Sequence, residues 1–164
     1  MICNSKIWIR ILTGDSLETA KKIALDTGII TEQDAQSPYC VMTGEALHEM
    51  TGSMMDVVLK NGQKRAMMKD TNREKFKKYH QEIKVVARCS PYHKFCLIVA
   101  LQSLGGRVAC TGESIQDIQA LNTADVGLCM GSGCTVAKEA ADIIIEEDKF
   151  QTIFRANQWG RNVS

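Results

Sequence analysis

The chain has 164 residues, of which 45% are apolar and 24% charged, with 20 Lys+Arg against 19 Asp+Glu and a formal charge of +1. This mix excludes disordered, collagen-like and low-complexity classes, leaves enough chain to bury a sizeable core, and gives no electrostatic case for a nucleic-acid partner. No apolar run approaches the roughly 18 residues of a membrane helix. The start MICNSKIWIR lacks the apolar core and small-residue cleavage site of a secretory leader, so these residues read as a soluble cytosolic domain.

In chain order, Lys6 to Leu12 (KIWIRIL) reads as a buried strand. Thr13-Gly14-Asp15-Ser16 punctuates it and caps a helix running to Gly28, with Leu17, Ala20, Ile23 and Ala24 on one stripe. Thr31 to His80 is less regular, with Pro38, a polar stretch at Gly52 to Asp56 and a basic run from Lys60 to Lys69. Gln63-Lys64-Arg65 can be read as a binding patch or, with better support from composition, as a solvated hairpin or loop. FKKYHQ, from Phe76, fits an exposed helix.

Lys84 to Arg88 is then a strand, Ser90-Pro91 starts a helix, and Lys94 to Leu104 carries an apolar stripe. Gly106 to Cys110 is a strand leading into Thr111-Gly112 and a short helix at Ile115 to Leu121. Asp125 to Met130 is a strand followed by Gly131-Ser132-Gly133 and a helix over Thr135 to Ala141. Asp142 to Ile145 closes the series before an amphipathic helix, Phe150 to Val163. Strands alternating with helices predict an α/β fold with a mainly parallel sheet. With no internal repeat and no linker, the reading is one domain, 1–164, with an irregular insertion at about 31–80.

Cys3, Cys40, Cys89, Cys96, Cys110, Cys129 and Cys134 are odd in number and contain no C-x-x-C spacing. Reduced thiols acting as small core hydrophobes fit better than a disulfide framework, with zinc the lesser alternative. His48, His80 and His93 stand apart in polar surroundings and read as surface residues.

Ligands of open α/β sheets bind beyond the carboxyl ends of the strands, and three segments fall there. Thr13-Gly14-Asp15 offers a hydroxyl and backbone N–H groups at a helix start, suited to a phosphate oxygen, or is simply a capped turn. Lys94, one turn into its helix, could neutralise a phosphoryl group, or is a surface lysine. Thr111-Gly112-Glu113-Ser114-Ile115-Gln116-Asp117 carries two carboxylates able to offer hard oxygens to Mg²⁺. Their order raises all three: strand-TGD-helix, then SPxxK, then strand-TGE-helix.

ILTGDSLETAKKIALDTGI, VVARCSPYHKFCLIVALQSLGGRVACTGESIQDIQAL and ADVGLCMGSGCTVAKEAADIIIEEDKF resemble the phosphorylation domain of P-type cation-transporting ATPases, in register over Ile7 to Gly28 and Val85 to Val163. The closing FQTIFRANQWGRNV and MGSGCTVAKEAADIII most resemble the plasma-membrane type of calcium pump. The resemblance implies a haloacid-dehalogenase-like three-layer sandwich, here incomplete because the nucleophile strand is missing. It also implies the C-terminal part of a domain that uses ATP and Mg²⁺ and works with nucleotide-binding, actuator and membrane parts on the cytosolic side of a membrane.

By the same resemblance Thr13 hydrogen-bonds an aspartyl phosphate, Gly14 allows close backbone approach, Asp15 supports the nucleotide side and Lys94 balances phosphoryl charge. The family's T-G-D-G-x-N-D stretch, whose first Asp binds Mg²⁺ and whose Asn and last Asp hold that geometry, reads T-G-E-S-I-Q-D here. Thr111, Gly112 and Asp117 match; Glu113, Ser114 and Gln116 depart, and Gln119 stands where the family has proline. Glu113 and Gln116 are each one methylene too long, against a metal that demands near-ideal geometry. Weakened or lost Mg²⁺ binding is therefore expected at Glu113 and Asp117.

The D-K-T-G motif that carries the family's nucleophile does not occur in the 164 residues, and the chain stops where the family enters its next membrane helices. The leading expectation is a phosphorylation-domain segment that is not catalytic alone. A non-catalytic nucleotide- or partner-binding relative is the alternative, and a free-standing phosphatase of the same fold is a remote third. Loss of a central strand would leave a gap or exposed edges, so self-association of the isolated chain is expected.

Overall fold

The computed structural model describes residues 7–58, 64–147, 149, 151–153 and 155, with only the backbone given for 57, 58 and 64. Cys3, Lys6, Lys60, Gln63 and most of the helix expected at 150–163 lie outside the described residues. The chain divides into two compact units, 9–108 and 109–164 with 1–8.

The larger unit is built on a three-stranded sheet of β1 (Ile11–Leu12), β5 (Val85–Ala87) and β2 (Val41–Thr43), in the order β1-β5-β2. Both pairings are parallel, with Val85 opposite Ile11 and Val41, Val86 opposite Leu12 and Met42, and Ala87 opposite Thr43. The central strand reads V-V-A because it is covered on both faces, and all three residues are fully buried. Alternation then splits the core in two. Val86 joins Met42, Leu47, Met50, Phe76, Leu97 and Ala100 on one face, while Val85 and Ala87 join Ala20, Ala24, Ile30 and Val41 on the other. Helix-sheet-helix layering follows within this unit, as expected.

The helices form for local reasons. Ser16 accepts from Thr19 N and starts α1 (Leu17–Asp26), whose Ala20 and Ala24, one turn apart, are small enough to seat it on the sheet. Thr43 caps α2 (Gly44–Thr51), and Ser90 with Pro91 in the first turn starts α4 (Pro91–Ser103). In α4 the run Cys96 to Ala100 is buried all round. α3 (Asp70–Tyr79) is mostly exposed, as read, but Phe76 is buried within the first core face.

Between Thr31 and His80, where little regularity was expected, the chain forms β2, α2, the antiparallel hairpin of β3 (Met55–Val58) and β4 (Lys64–Met67), and α3. The pattern hides β2 because it has three residues, too few to show a period. The first strand also starts later than read: its ladder begins at Ile11 N to Lys84 O, where β5 comes within reach.

The smaller unit holds a second parallel sheet, in the order β6 (Ala109–Gly112), β7 (Val126–Met130) and β8 (Ile143–Ile145). α5 (Ile118–Thr123) and α6 (Thr135–Ala140) pack on it around Leu121, Cys129 and Ala137. β6 lies two to three residues beyond the expected strand because Gly105 and Gly106 are spent closing α4, bonding back to Gln102 O and Leu101 O. Each unit thus has its own parallel sheet with helices where a single parallel sheet was expected, and the larger unit adds the antiparallel β3–β4 hairpin.

Of the six cysteines described, Cys40, Cys89, Cys96 and Cys129 are buried, Cys110 and Cys134 are half-buried, and all are free thiols. The expectation of isolated surface histidines is corrected for all three: His80 is half-buried, with its ring centroid 6.0 Å from that of Phe76. His48 and His93 are half-buried with ring centroids 6.2 Å apart, because α2 and α4 pack together across one face of the sheet.

Candidate functional site

In the larger unit the ends of the parallel strands converge. Thr13 leaves β1 with its N–H on Val86 O at 3.0 Å, and its carbonyl accepts from Cys89 N at 2.9 Å. Two residues on, Asp15 O accepts from Arg88 N at 2.9 Å. These bonds tie the T-G-D turn to the R-C-S-P turn after β5. Arg88 takes φ 51°, a left-handed conformation that non-glycine residues rarely adopt, and so turns the chain out of the strand into α4.

Inside the first turn the Thr13 hydroxyl donates to Asp15 Oδ2 at 2.8 Å and accepts from Asp15 N at 3.2 Å. Thr13 is half-buried, and Gly14 and Asp15 are exposed. Lys94 sits one turn into α4, its N–H on Ser90 O at 3.2 Å. The Cys89 thiol, pushed up to about 11 by burial, is pulled partly back down by the charge of Lys94. The backbone bonds set Thr13, Gly14 and Asp15 beside the turn that starts α4, one turn before Lys94.

A third segment at this edge escaped the sequence reading. Thr43-Gly44-Glu45 ends β2 and opens α2 with the same order of hydroxyl, glycine and carboxylate as Thr13-Gly14-Asp15, and Thr43 Oγ1 accepts from Ala46 N at 3.2 Å. The repeated strand-T-G-acid-helix pattern was the available signal, masked by the shortness of β2.

Thr111, Gly112, Glu113 and Asp117 belong to the smaller unit. Asp117 works as a loop clamp: its Oδ2 accepts from Glu113 N at 3.2 Å, Ser114 N at 3.1 Å and Ser114 Oγ at 2.8 Å. The Glu113 carbonyl accepts from Cys134 N at 2.9 Å, so the Glu113 backbone is held from both sides. Glu113, Ser114 and Gln116 are exposed. One Asp117 oxygen is therefore committed to the loop, and no group of three or more His, Cys, Asp or Glu suited to a metal occurs among the described residues. The loop cannot retract to absorb the extra methylene of Glu113 without breaking these bonds. Glu113 and Asp117 are the carboxylates this segment offers, and Asp117 Oδ2 is already engaged by the loop.

No family model matches the chain. Its sequence is nevertheless 35% identical over 161 residues to plasma membrane-type calcium-transporting ATPase 8 of Arabidopsis thaliana, covering 98% of this chain and 13% of that protein. Plasma membrane-type calcium-transporting ATPase 5 of Oryza sativa subsp. japonica is 37% identical over 158 residues, covering 96% and 12%. Calcium-transporting ATPase 2 of Saccharomyces cerevisiae is 35% identical over 159 residues, again 96% and 12%. A solved structure of the catalytic domain of the CPx-ATPase CopB-B matches with a TM-score of 0.41 and 31% identity, over 52% of this chain and 33% of that one.

The sequence similarity over nearly the whole chain makes it a relative of P-type ATPases. Within that class it is related to the plasma-membrane-type calcium-transporting ATPases, and it spans about an eighth of the length of the curated relatives it matches. No helix among the described residues is long and apolar enough to cross a membrane.

Proposed function

We propose that the chain is part of the phosphorylation domain of a calcium-transporting P-type ATPase and supplies phosphoryl-site support from the cytosolic side of a membrane. The observation that carries this reading is the joining of Thr13-Gly14-Asp15 to the Lys94 helix through the Cys89–Thr13 and Arg88–Asp15 backbone bonds, in a sequence shared with calcium pumps. In this reading the Thr13 hydroxyl turns from Asp15 to a phosphoryl oxygen, Gly14 lets that group approach the backbone, Asp15 faces the nucleotide side and Lys94 offsets the charge. ATP is the substrate of the whole pump. Asp117 holds its loop while Glu113 stands in the magnesium position, where binding is weakened.

D-K-T-G is not among these residues, so the chain alone forms no aspartyl phosphate through that motif. Incubation with radiolabelled ATP is expected to leave the chain unlabelled; an acid-stable, hydroxylamine-sensitive label would overturn this. The chain is expected to bind inorganic phosphate, and Lys94→Ala to abolish that binding. Equal binding by the variant removes Lys94 from the site.

The pinned Glu113 loop favours a second reading, a non-catalytic relative that binds nucleotide or a partner. Calcium transport by a full-length protein carrying Glu113, Ser114 and Gln116 would eliminate it. The partners proposed are the remaining pump domains. Self-association of the isolated chain is proposed because the strand that carries D-K-T-G in the family is not among these residues. Concentration-independent monomer mass in sedimentation equilibrium would refute it.

A further inference from the structure

We propose that His93 is a positioning residue for Lys94, and that Gly44 is the gap in α2 that admits it. The inference rests on the phosphoryl-site reading of Lys94 given above. Ser90 and His93 cap α4 reciprocally: Ser90 Oγ accepts from His93 N at 3.3 Å, and His93 Nδ1 accepts from Ser90 N at 3.3 Å. Glu or Gln usually fills this position. An imidazole accepts only through an unprotonated nitrogen, so His93 carries its proton on Nε2.

A ring is also bulkier than a Gln side chain at that point, and α2 makes room for it. A Cβ on Gly44 would lie 2.0 Å from His93 Nδ1 and 2.8 Å from its Cγ and Cε1. One turn further along α2, the His48 ring lies 6.2 Å from that of His93 and 5.6 Å from that of Tyr92. Its Nδ1 is buried and has no hydrogen-bond partner among the described residues. The His93 ring is thus held at both its chain end and its outer face.

Lys94 is the next residue. Its ammonium ends a flexible four-carbon stem, so the position of its Cα and first turn sets the volume the charge can reach. Pinning residue 93 through both its N–H and its ring fixes that origin. Gly44, remote from Lys94 in sequence, becomes a determinant of where the charge stands.

The test uses the 164-residue chain and inorganic phosphate. Imidazole ¹⁵N spectra should show His93 protonated on Nε2 and not on Nδ1. His93→Ala should weaken phosphate binding roughly fivefold, the worth of one helix cap, while His93→Gln, which restores the usual box, should bind within about twofold of wild type. Gly44→Ala should weaken binding like His93→Ala, and the double variant should be no worse than either, because removing the ring removes the clash. An Nδ1-protonated His93 overturns the proposal, as does undiminished binding by His93→Ala where Lys94→Ala has lost it. Additive losses in the double variant also overturn it. Wild-type phosphate binding that Lys94→Ala leaves intact, or no binding at all, instead defeats the lysine reading beneath it and the proposal falls with that reading.

Discussion

Asp117→Ala tests whether the T-G-E-S-I-Q-D loop is held as the structure describes. One carboxylate oxygen accepts three bonds, at 2.8, 3.1 and 3.2 Å, from Ser114 Oγ, Ser114 N and Glu113 N. Bonds to charged groups are worth roughly 1.5–3 kcal/mol each in favourable settings, but the two amide bonds are long and the donors exposed. Three shared bonds to one oxygen are also far from additive, and measured losses of a single capping carboxylate reach about 2 kcal/mol. A local loss of about 1.5 kcal/mol is therefore expected, an increase of about tenfold in amide exchange at Glu113 and Ser114. Asp117→Asn keeps an acceptor oxygen without the charge and should show about half that free-energy change. Hydrogen exchange read residue by residue measures both. Unchanged exchange at Glu113 and Ser114 in Asp117→Ala would refute the clamp, and with it the argument that this loop cannot retract to seat a metal.

Two further expectations concern the larger unit. Phe76→Ala removes a fully buried ring from the first core face and should cost about 3–5 kcal/mol in urea unfolding; a loss under about 1 kcal/mol would mean the site collapses or the ring is not there. Lys84 holds the Asp34 carboxylate at 2.8 Å, and this bond and that from Thr31 N lower its pKa from 3.8 to about 2. A depressed folded pKa means the contribution is present above the ordinary value and is lost as pH falls from about 4 to 2. For a partly exposed pair it is expected to be about 1 kcal/mol or less. Asp34→Asn should flatten the acid limb of the stability curve in that window; an unchanged limb counts against the pair.

What the sequence disclosed followed from period and punctuation. The V-V-A strand and the Ser90-Pro91 start are written in consecutive residues and the structure repeats them, whereas of the expected α1 stripe Leu17, Ala20, Ile23 and Ala24 it buries Ala20 and Ala24 and leaves Ile23 exposed. The nearness of T-G-D to S-P-x-x-K was legible only as motif order; the bonds joining them link backbone atoms 73 to 76 residues apart, which no local pattern encodes. β2 stayed hidden because three residues show no period, and its loss concealed Thr43-Gly44-Glu45 as well. His93 looked like a surface residue because its role depends on a missing Cβ on another helix. The bonds that hold the Glu113 backbone, its N–H on Asp117 Oδ2 and its carbonyl accepting from Cys134 N, were not readable.

The two T-G-acid turns of the larger unit allow one more separation of packing from function. At Gly44 the protein itself demands glycine, since a Cβ would meet the His93 ring at 2.0 Å. At Gly14 a Cβ would find only Cys89 O at 3.9 Å, and the backbone φ is not in the left-handed region. A side chain would fit there without a clash, which leaves room for the close approach proposed for a phosphoryl group. Gly14→Ala should consequently leave stability within about 0.5 kcal/mol of wild type, as at a site without strain or clash. It should nevertheless weaken phosphate binding by crowding the Thr13 hydroxyl. Unfolding in urea and phosphate titration of the same variant separate the two effects. Lost stability with unchanged binding would show that Gly14 serves the fold, and would withdraw the close-approach role assigned to it.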